Sequence, residues 1–262
     1  MPSRDDVKHQ AQSRFAQYAQ GYVASPSHAK GADLERLLEL AQPQPDWLAL
    51  DVATGGGHTA LKFAPHVARV VASDLTPTML YSAREFIMGQ GVANVMFSAG
   101  DAENLPFASN VFDLATCRIA PHHFPDCFRF VQECARVLKP GGCLLVEDHL
   151  APEDERAARY LDAFERLRDP SHQRAFAEYE WRGMFLDASL AVIHTEAIVK
   201  SGGKLIPWAE RQGCAPATIE RLQVMLAQSP AAVREWVKPQ CVGTADAAFD
   251  QHYIIILGRK EV

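Results

Sequence analysis

Residues 48–64 read LALDVATGGGHTALKFA: an apolar run, an acid at Asp51, small residues, three consecutive glycines, and then a stretch with helical patterning. A strand that enters a helix through such a turn needs glycine, because the backbone must take dihedrals closed to larger residues and come close to a ligand. Gly55 and Gly57 are the loop candidates, with Ala53 and Thr54 beside them. The pattern alone does not choose a ligand, since Gly55-x-Gly57-x-x-Ala60 also fits the dinucleotide fingerprint of nicotinamide enzymes.

Outward from this turn, short apolar runs alternate with longer amphipathic stretches between Trp47 and His149, the rhythm of β-α-β units and a parallel sheet. Leu48 to Ala53, Val67 to Ser73, Val95 to Ala99, Phe112 to Cys117 and Cys143 to Asp148 read as the first five strands. Thr76 before Pro77 reads as a helix cap, and Val131, Ala135 and Leu138 repeat at helical spacing before Pro140 and Gly141. Ala191 to Lys200 and Tyr253 to Gly258 complete a seven-stranded set, and the helix-rich stretch from Trp208 to Glu235 reads as an insertion. The expected fold is α/β, a Rossmann-like, mostly parallel sheet flanked by helices. It is one domain over 1–262, with an N-terminal helical segment (1–45), a cofactor-binding core (46–150) and a C-terminal part (151–262) holding acceptor-site elements and the last strands. Upstream, Val7, Ala11, Phe15, Tyr18 and Tyr22 form a stripe on one helix side. Such a stripe either packs the helix on the domain or makes it a lid, with Tyr18 or Tyr22 turned to the cofactor.

Three acids follow three successive strands. Asp51 can orient the glycine loop and meet a cationic amino group, whereas it would repel a pyrophosphate, so a zwitterionic sulfonium ligand is the better match. Asp74 in SDLTPTML can accept from the two hydroxyls of a ribose, with Leu75 against an adenine face or simply packed. Asp101 in GDAENLPF can accept from an adenine amino group, and Leu105 and Phe107 anchor its loop. All three fall where open α/β sheets bind ligands.

The order LDVATGGG, SDLTPTML, GDAENLPF, FDLATCRIAPHHF, ARVLKPGG resembles class I S-adenosylmethionine-dependent methyltransferases, most of all relatives of the ubiquinone and menaquinone biosynthesis C-methyltransferases, over roughly residues 46 to 149. The resemblance implies that Asp51, Gly55 and Gly57 hold the methionine end of S-adenosyl-L-methionine, Asp74 the ribose, and Asp101 with Ala102 the adenine. Ala53 stands where the family loop has its first glycine. The reaction implied is direct displacement on the methyl carbon, in which a neutral thioether leaves and alignment supplies much of the rate.

Arg118, His122 and His123 follow the fourth strand. A neutral histidine there can accept a proton, and Arg118 can orient an acidic acceptor or the cofactor carboxylate; the alternative is that the histidines are structural. Asp148 and His149 lack metal-ligand spacing, so no metal is expected, and Trp181 with Arg182 lines an acceptor pocket or belongs to the core.

A formal charge of −6 with no basic run argues against a nucleic-acid substrate and favours a small-molecule acceptor. Six cysteines without paired spacing suit reduced thiols, and a polar start without an apolar segment is not a secretory signal, so a cytoplasmic protein without a membrane span is expected. A homodimer is compatible with the sequence. Two other functions stay open: an NAD-linked oxidoreductase, for which no Tyr-x-x-x-Lys pair is found, and a regulatory protein that binds the cofactor without transferring from it.

Overall fold

The computed structural model describes residues 3–24 and 32–261, with the side chains of 18–24 and of Ala32 not included. Helix α1 (Arg4–Ala24) and helix α2 (Ala32–Ala41) precede the sheet. Then follow β1 (Leu48–Val52), α3 (His58–Phe63), β2 (Arg69–Asp74), α4 (Pro77–Gly89), β3 (Val95–Ala99), β4 (Phe112–Arg118), α5 (Cys127–Val137) and β5 (Leu138–His149). The C-terminal part comprises α6 (Glu155–Arg168), α7 (Glu178–Asp187), β6 (Leu190–Lys204), α8 (Leu205–Glu210), α9 (Pro216–Ala227), α10 (Ala231–Val237) and β7 (Ala248–Lys260).

The sheet order is β3-β2-β1-β4-β5-β7-β6, with β7 antiparallel to both its neighbours and the first five strands parallel. The order reverses between β1 and β4, and a crevice opens beyond the carboxyl ends of the strands at such a switch. The strands carry buried apolar residues on both faces, as a sheet covered by helices on each side requires. Leu50, Val52, Val146 and Ile254 pack with α5 and α7 residues such as Val131 and Trp181 on one face. Ala49, Leu114, Leu145 and Ile255 pack with Leu37, Phe63 and Ile87 on the other. Phe164, Trp208, Leu222, Leu226 and Phe249 form a third core, which roots the insertion (α8 to α10) on α6 and β7.

Boundaries depart from expectation in four places. Leu138 is not the last helical residue: α5 ends at Val137 and Leu138, extended, pairs with Phe112 as the start of β5, while Pro140 keeps Lys139 out of helical dihedrals and so stops the helix from running on. Thr76 holds the position before α4 but its side chain makes no cap bond; its N–H goes to Asp74 Oδ1 at 2.8 Å. Strands β6 and β7 run past their expected ends and pair along most of their length. Trp181 is fully buried against Phe176 and Phe185, so it is core, and Arg182 lies on the surface paired with Glu178. Among the described residues no helix is long and apolar enough to cross a membrane. All six cysteines are free.

Candidate functional site

Beyond the tips of β1, β2 and β4 lies a cavity of about 130 Å³. Strand ends, the glycine loop and one side of α1 line it.

Asp51, next to last in β1, is almost wholly buried. One carboxylate oxygen accepts from Thr54 Oγ1 at 2.6 Å and Ala60 N at 3.1 Å; the other accepts from Thr116 Oγ1 at 2.9 Å. Burial pushes its pKa up to about 6, against the pull of those donors. The carboxylate thus ties the loop, the first turn of α3 and β4 together while remaining in the cavity wall.

The loop itself divides into two functions. Ala53 takes a left-handed φ of 52°, a conformation in which a Cβ costs roughly 1 to 2 kcal/mol. Thr54, Gly55 and Gly56 line the cavity, and a Cβ on Gly55 would meet nothing nearer than 4.0 Å. Gly57 does not line it; with φ at 83°, an added Cβ would lie 2.8 Å from Ile87 Cδ1. Its glycine is therefore demanded by helix packing, and Gly56, not singled out from the sequence, takes the lining position.

Asp74 closes β2 with Oδ2 accepting from Gly55 N at 2.9 Å and Oδ1 from Thr76 N. Burial raises its pKa. Leu75 and Ala102 supply apolar wall. Asp101 faces the same space, its Oδ1 taking Glu103 N at 2.9 Å and its Oδ2 taking Lys8 Nζ at 2.7 Å.

Lys8 belongs to α1, as do Ala11, Gln12 and Phe15, which also line the cavity. Lys8 bridges Asp101 and Glu103, both at 2.7 Å, and Gln12 Nε2 donates to Leu75 O at 2.8 Å. Burial alone would lower the pKa of Lys8, but its bonds to the two carboxylates leave it raised. The stripe on α1 thus lies over the crevice while Val7 packs into the domain. The side chains of Tyr18 and Tyr22 lie outside the described residues.

Arg118, at the end of β4, lines the cavity and joins a buried ionic cluster. Its Nε donates to Glu147 at 3.0 Å and a terminal nitrogen to Asp33 of α2 at 3.0 Å, with Lys200 3.2 Å from Asp33. Burial pushes Glu147 up to about 7, whereas Asp33 is held low by Arg118 and Lys200 despite its own burial. The opposite directions fit two neighbouring carboxylates, where one keeps its proton more easily when the other is ionised.

The two candidate histidines separate. His123 lines the crevice, meets the ring of Phe15 edge-on at 5.0 Å, and has Nδ1 3.2 Å from Ser171 Oγ. Burial pulls its pKa down to about 4. The Ser171 hydroxyl lies 2.5 Å from Asp169, which can only accept, so His123 Nδ1 carries a proton toward Ser171 and leaves Nε2 with the lone pair. His122 is not in the crevice wall; its Nδ1 is 2.6 Å from Asp148.

Phe15 and Ala11 lie in the stripe read from the sequence, whereas Lys8, Gln12 and Gly56 were missed, as were Asp33, Glu147 and Ser171. The charged partners carry no local signal, because each acquires its role from an element far away in the chain. Gly56 had a signal, the unbroken triplet, but only the loop conformation tells which glycine faces the ligand.

A family profile described as "Methyltransferase domain" matches residues 50–146. The chain is 42% identical over 177 residues to the uncharacterized methyltransferase YcgJ of Bacillus subtilis, covering 68% of this chain and 70% of that protein. It is 36% identical over 131 residues to a ubiquinone/menaquinone biosynthesis C-methyltransferase of Ectopseudomonas mendocina, covering 48% of this chain and 51% of that one. A crystal structure from Bacillus halodurans, described as that of a methyltransferase, superposes with a TM-score of 0.84 at 36% identity, covering 88% of this chain and all of the other.

Proposed function

We propose, from the premise that this chain belongs to the class I S-adenosylmethionine-dependent methyltransferases, that it methylates a small-molecule acceptor by direct displacement inside the crevice under α1. The observation that carries the reading is the convergence of Asp51, Asp74 and Asp101, from three separate strand tips, on one cavity that α1 covers. This donor set fits the cofactor. It offers carboxylates for a diol and an amino group, an apolar wall from Leu75 and Ala102, and an open glycine backbone. The same acids, with Glu103, oppose a nicotinamide diphosphate.

When bound, the cofactor supplies a methyl group on a sulfonium. In this reading Asp74 accepts from the ribose hydroxyls, and Asp101 with Ala102 meets the adenine edge. Thr54, Gly55 and Gly56 lie along the methionine end, where Arg118 stands near its carboxylate and Asp51 keeps the loop in shape. The acceptor side is then framed by Phe15, Ile119, Phe124 and His123. Those groups favour a compact acceptor with apolar surface, and α1 limits its size. His123, neutral at pH 7, can take a proton at Nε2 from an acceptor that must lose one.

Calorimetric titration with S-adenosylhomocysteine, followed by turnover against quinols, phenols, amines, thiols and arsenite, tests the proposal. Expected are cofactor binding and release of S-adenosylhomocysteine with one acceptor class, lowered in His123→Ala if that acceptor needs a base. Binding without turnover of any acceptor would favour the regulatory reading instead. Turnover of a macromolecule alone would overturn the small-molecule assignment.

A further inference from the structure

The tips of β4 and β5 meet the loop after α6 at a second group of side chains, separate from the crevice wall. His122 lies in the short turn after β4, His149 ends β5, and His172 follows α6. One ring nitrogen from each lies within 4.8 Å of the others. The rings of His122 and His149 stack at 4.2 Å and 13°, and His172 is centred 5.4 Å from His122 and 6.4 Å from His149.

Two of the three are backed by carboxylates. His122 Nδ1 is 2.6 Å from Asp148 Oδ1 and His172 Nε2 is 2.8 Å from Asp162 Oδ1, which also accepts from Ala175 N at 3.0 Å. Where a carboxylate accepts from one ring nitrogen the other keeps the lone pair, which for these two rings is His122 Nε2 and His172 Nδ1. Carboxylate behind imidazole is the arrangement that orients histidine toward a metal and raises its basicity. Asp148 Oδ2 is buried and, among the described residues, has no hydrogen-bond partner, leaving unbalanced acceptor capacity behind His122.

We propose that His122, His149 and His172 form a binding site for a divalent late transition-metal ion, best matched by zinc. An all-nitrogen donor set suits zinc, whereas magnesium and calcium require oxygen ligands. Nitrogens held about 2.0 to 2.1 Å from a tetrahedral zinc stand roughly 3.4 Å apart, so closing the cluster draws the three in from within 4.8 Å and turns one of the stacked rings of His122 and His149 so that the lone pairs meet. Asp148 and Asp162 are the carboxylates that touch the cluster. The other nearby charges are already paired, Glu165 with Arg168 at 3.7 Å and Asp169 with Arg14 at 2.9 Å. An entry route exists at half-buried His149, which with Asp162, Glu165 and Tyr253 lines a second cavity of about 50 Å³. Water from that cavity completes the coordination. The ring of His122 is centred 4.0 Å from that of His123, so loading the site stiffens the loop that presents His123 to the crevice.

The test uses the full chain without a polyhistidine tag, stripped with a chelator and titrated with cobalt(II), then with zinc(II) in competition. One equivalent of cobalt should bind with the visible bands of a four-coordinate ion and be displaced by zinc. His149→Phe keeps the ring packing against His122 and Tyr253 but removes a ligand, and should abolish the bands in a protein whose circular dichroism is native. Asp162→Asn should weaken uptake by about 10- to 100-fold, as loss of a carboxylate behind a ligand does. No stoichiometric uptake by the native chain, or uptake unchanged in folded His149→Phe, overturns the proposal, and neither result touches the methyl-transfer reading, which is measured by turnover.

Discussion

The crevice at the tips of β1, β2 and β3 and the histidine cluster at the tips of β4 and β5 are both built where parallel strands end, but by opposite means. In the crevice each acid stands at the tip of its strand or just beyond it, and its bonds are largely to backbone nearby, as Asp74 with Gly55 and Thr76. In the cluster the defining contacts are between side chains of different elements, as His122 with Asp148 and His172 with Asp162. The first region sets its polar groups in the wall of a cavity, where a ligand can meet them. The second is mostly buried, with His122, His172 and Asp148 almost wholly covered, so each of those groups depends on its partner. Removing a residue should therefore cost binding in the first region and folding stability in the second.

Asp148→Ala offers the sharpest way to break that contrast. It leaves His122 Nδ1 buried without its carboxylate, and a buried polar group left unsatisfied should lower unfolding free energy by about 1 to 3 kcal/mol in denaturant titration, with little change in cofactor affinity. A loss of cofactor binding as large as the loss of stability would merge the two regions into one. Asp74→Ala is the complementary case: cofactor binding measured by calorimetry should weaken by about 1 to 3 kcal/mol, with ribose hydroxyls left poorly paired, while the protein stays folded. Unchanged affinity in a folded variant removes Asp74 from the site.

Between the regions sits the Arg118 cluster, which sharpens the comparison through pH. Glu147 has its folded-state pKa raised to about 7 by burial, above the value it has in an unfolded chain. Its contribution is therefore fully present at acidic pH below the unfolded value and is lost as pH rises through 7. Asp51, raised to about 6, acts in the same direction, while Asp33, held low, gives stability that is lost only in strong acid. His122, His123 and His149, held low by burial, act the other way below the ordinary histidine range, so Glu147 is read as a difference: between pH 5 and pH 8 the stability of Glu147→Gln should rise relative to the native chain by about 1 to 2 kcal/mol. An identical pH profile in the variant would show that Glu147 does not titrate there. The smallest effect is expected at Ala53. Ala53→Gly relieves the left-handed φ but adds freedom to the unfolded chain, so stability should rise by no more than about 0.5 kcal/mol. A clear loss would mean that the Cβ of Ala53 supports the loop by packing.

These differences follow the range over which each signal acts. The seven strands, the insertion before β7 and the position of Asp51, Asp74 and Asp101 are legible because apolar periodicity and a turn after a strand are local properties. The distinction between Gly56 and Gly57 was not legible, since it depends on whether Ile87 of α4 or open space lies beside each Cα. Lys8 sits in a polar stretch with nothing to mark it until α1 is laid over Asp101. His122 and His123 are adjacent in the chain, yet one faces the crevice and the other turns to Asp148, a divergence that the tight turn after β4 imposes.

The sequence by itself determined the order of strands and helices, the glycine turn after β1 and the carboxylates at successive strand ends. Each rests on interactions within a few residues, which the chain encodes directly. Tertiary structure alone decided that α1 covers the crevice, that Arg118 is bound between Asp33 and Glu147, and that His122, His149 and His172 share one space. Such contacts arise when the sheet closes its distances between remote segments, and the dry interior then makes each buried polar group depend on whichever partner the packing delivers.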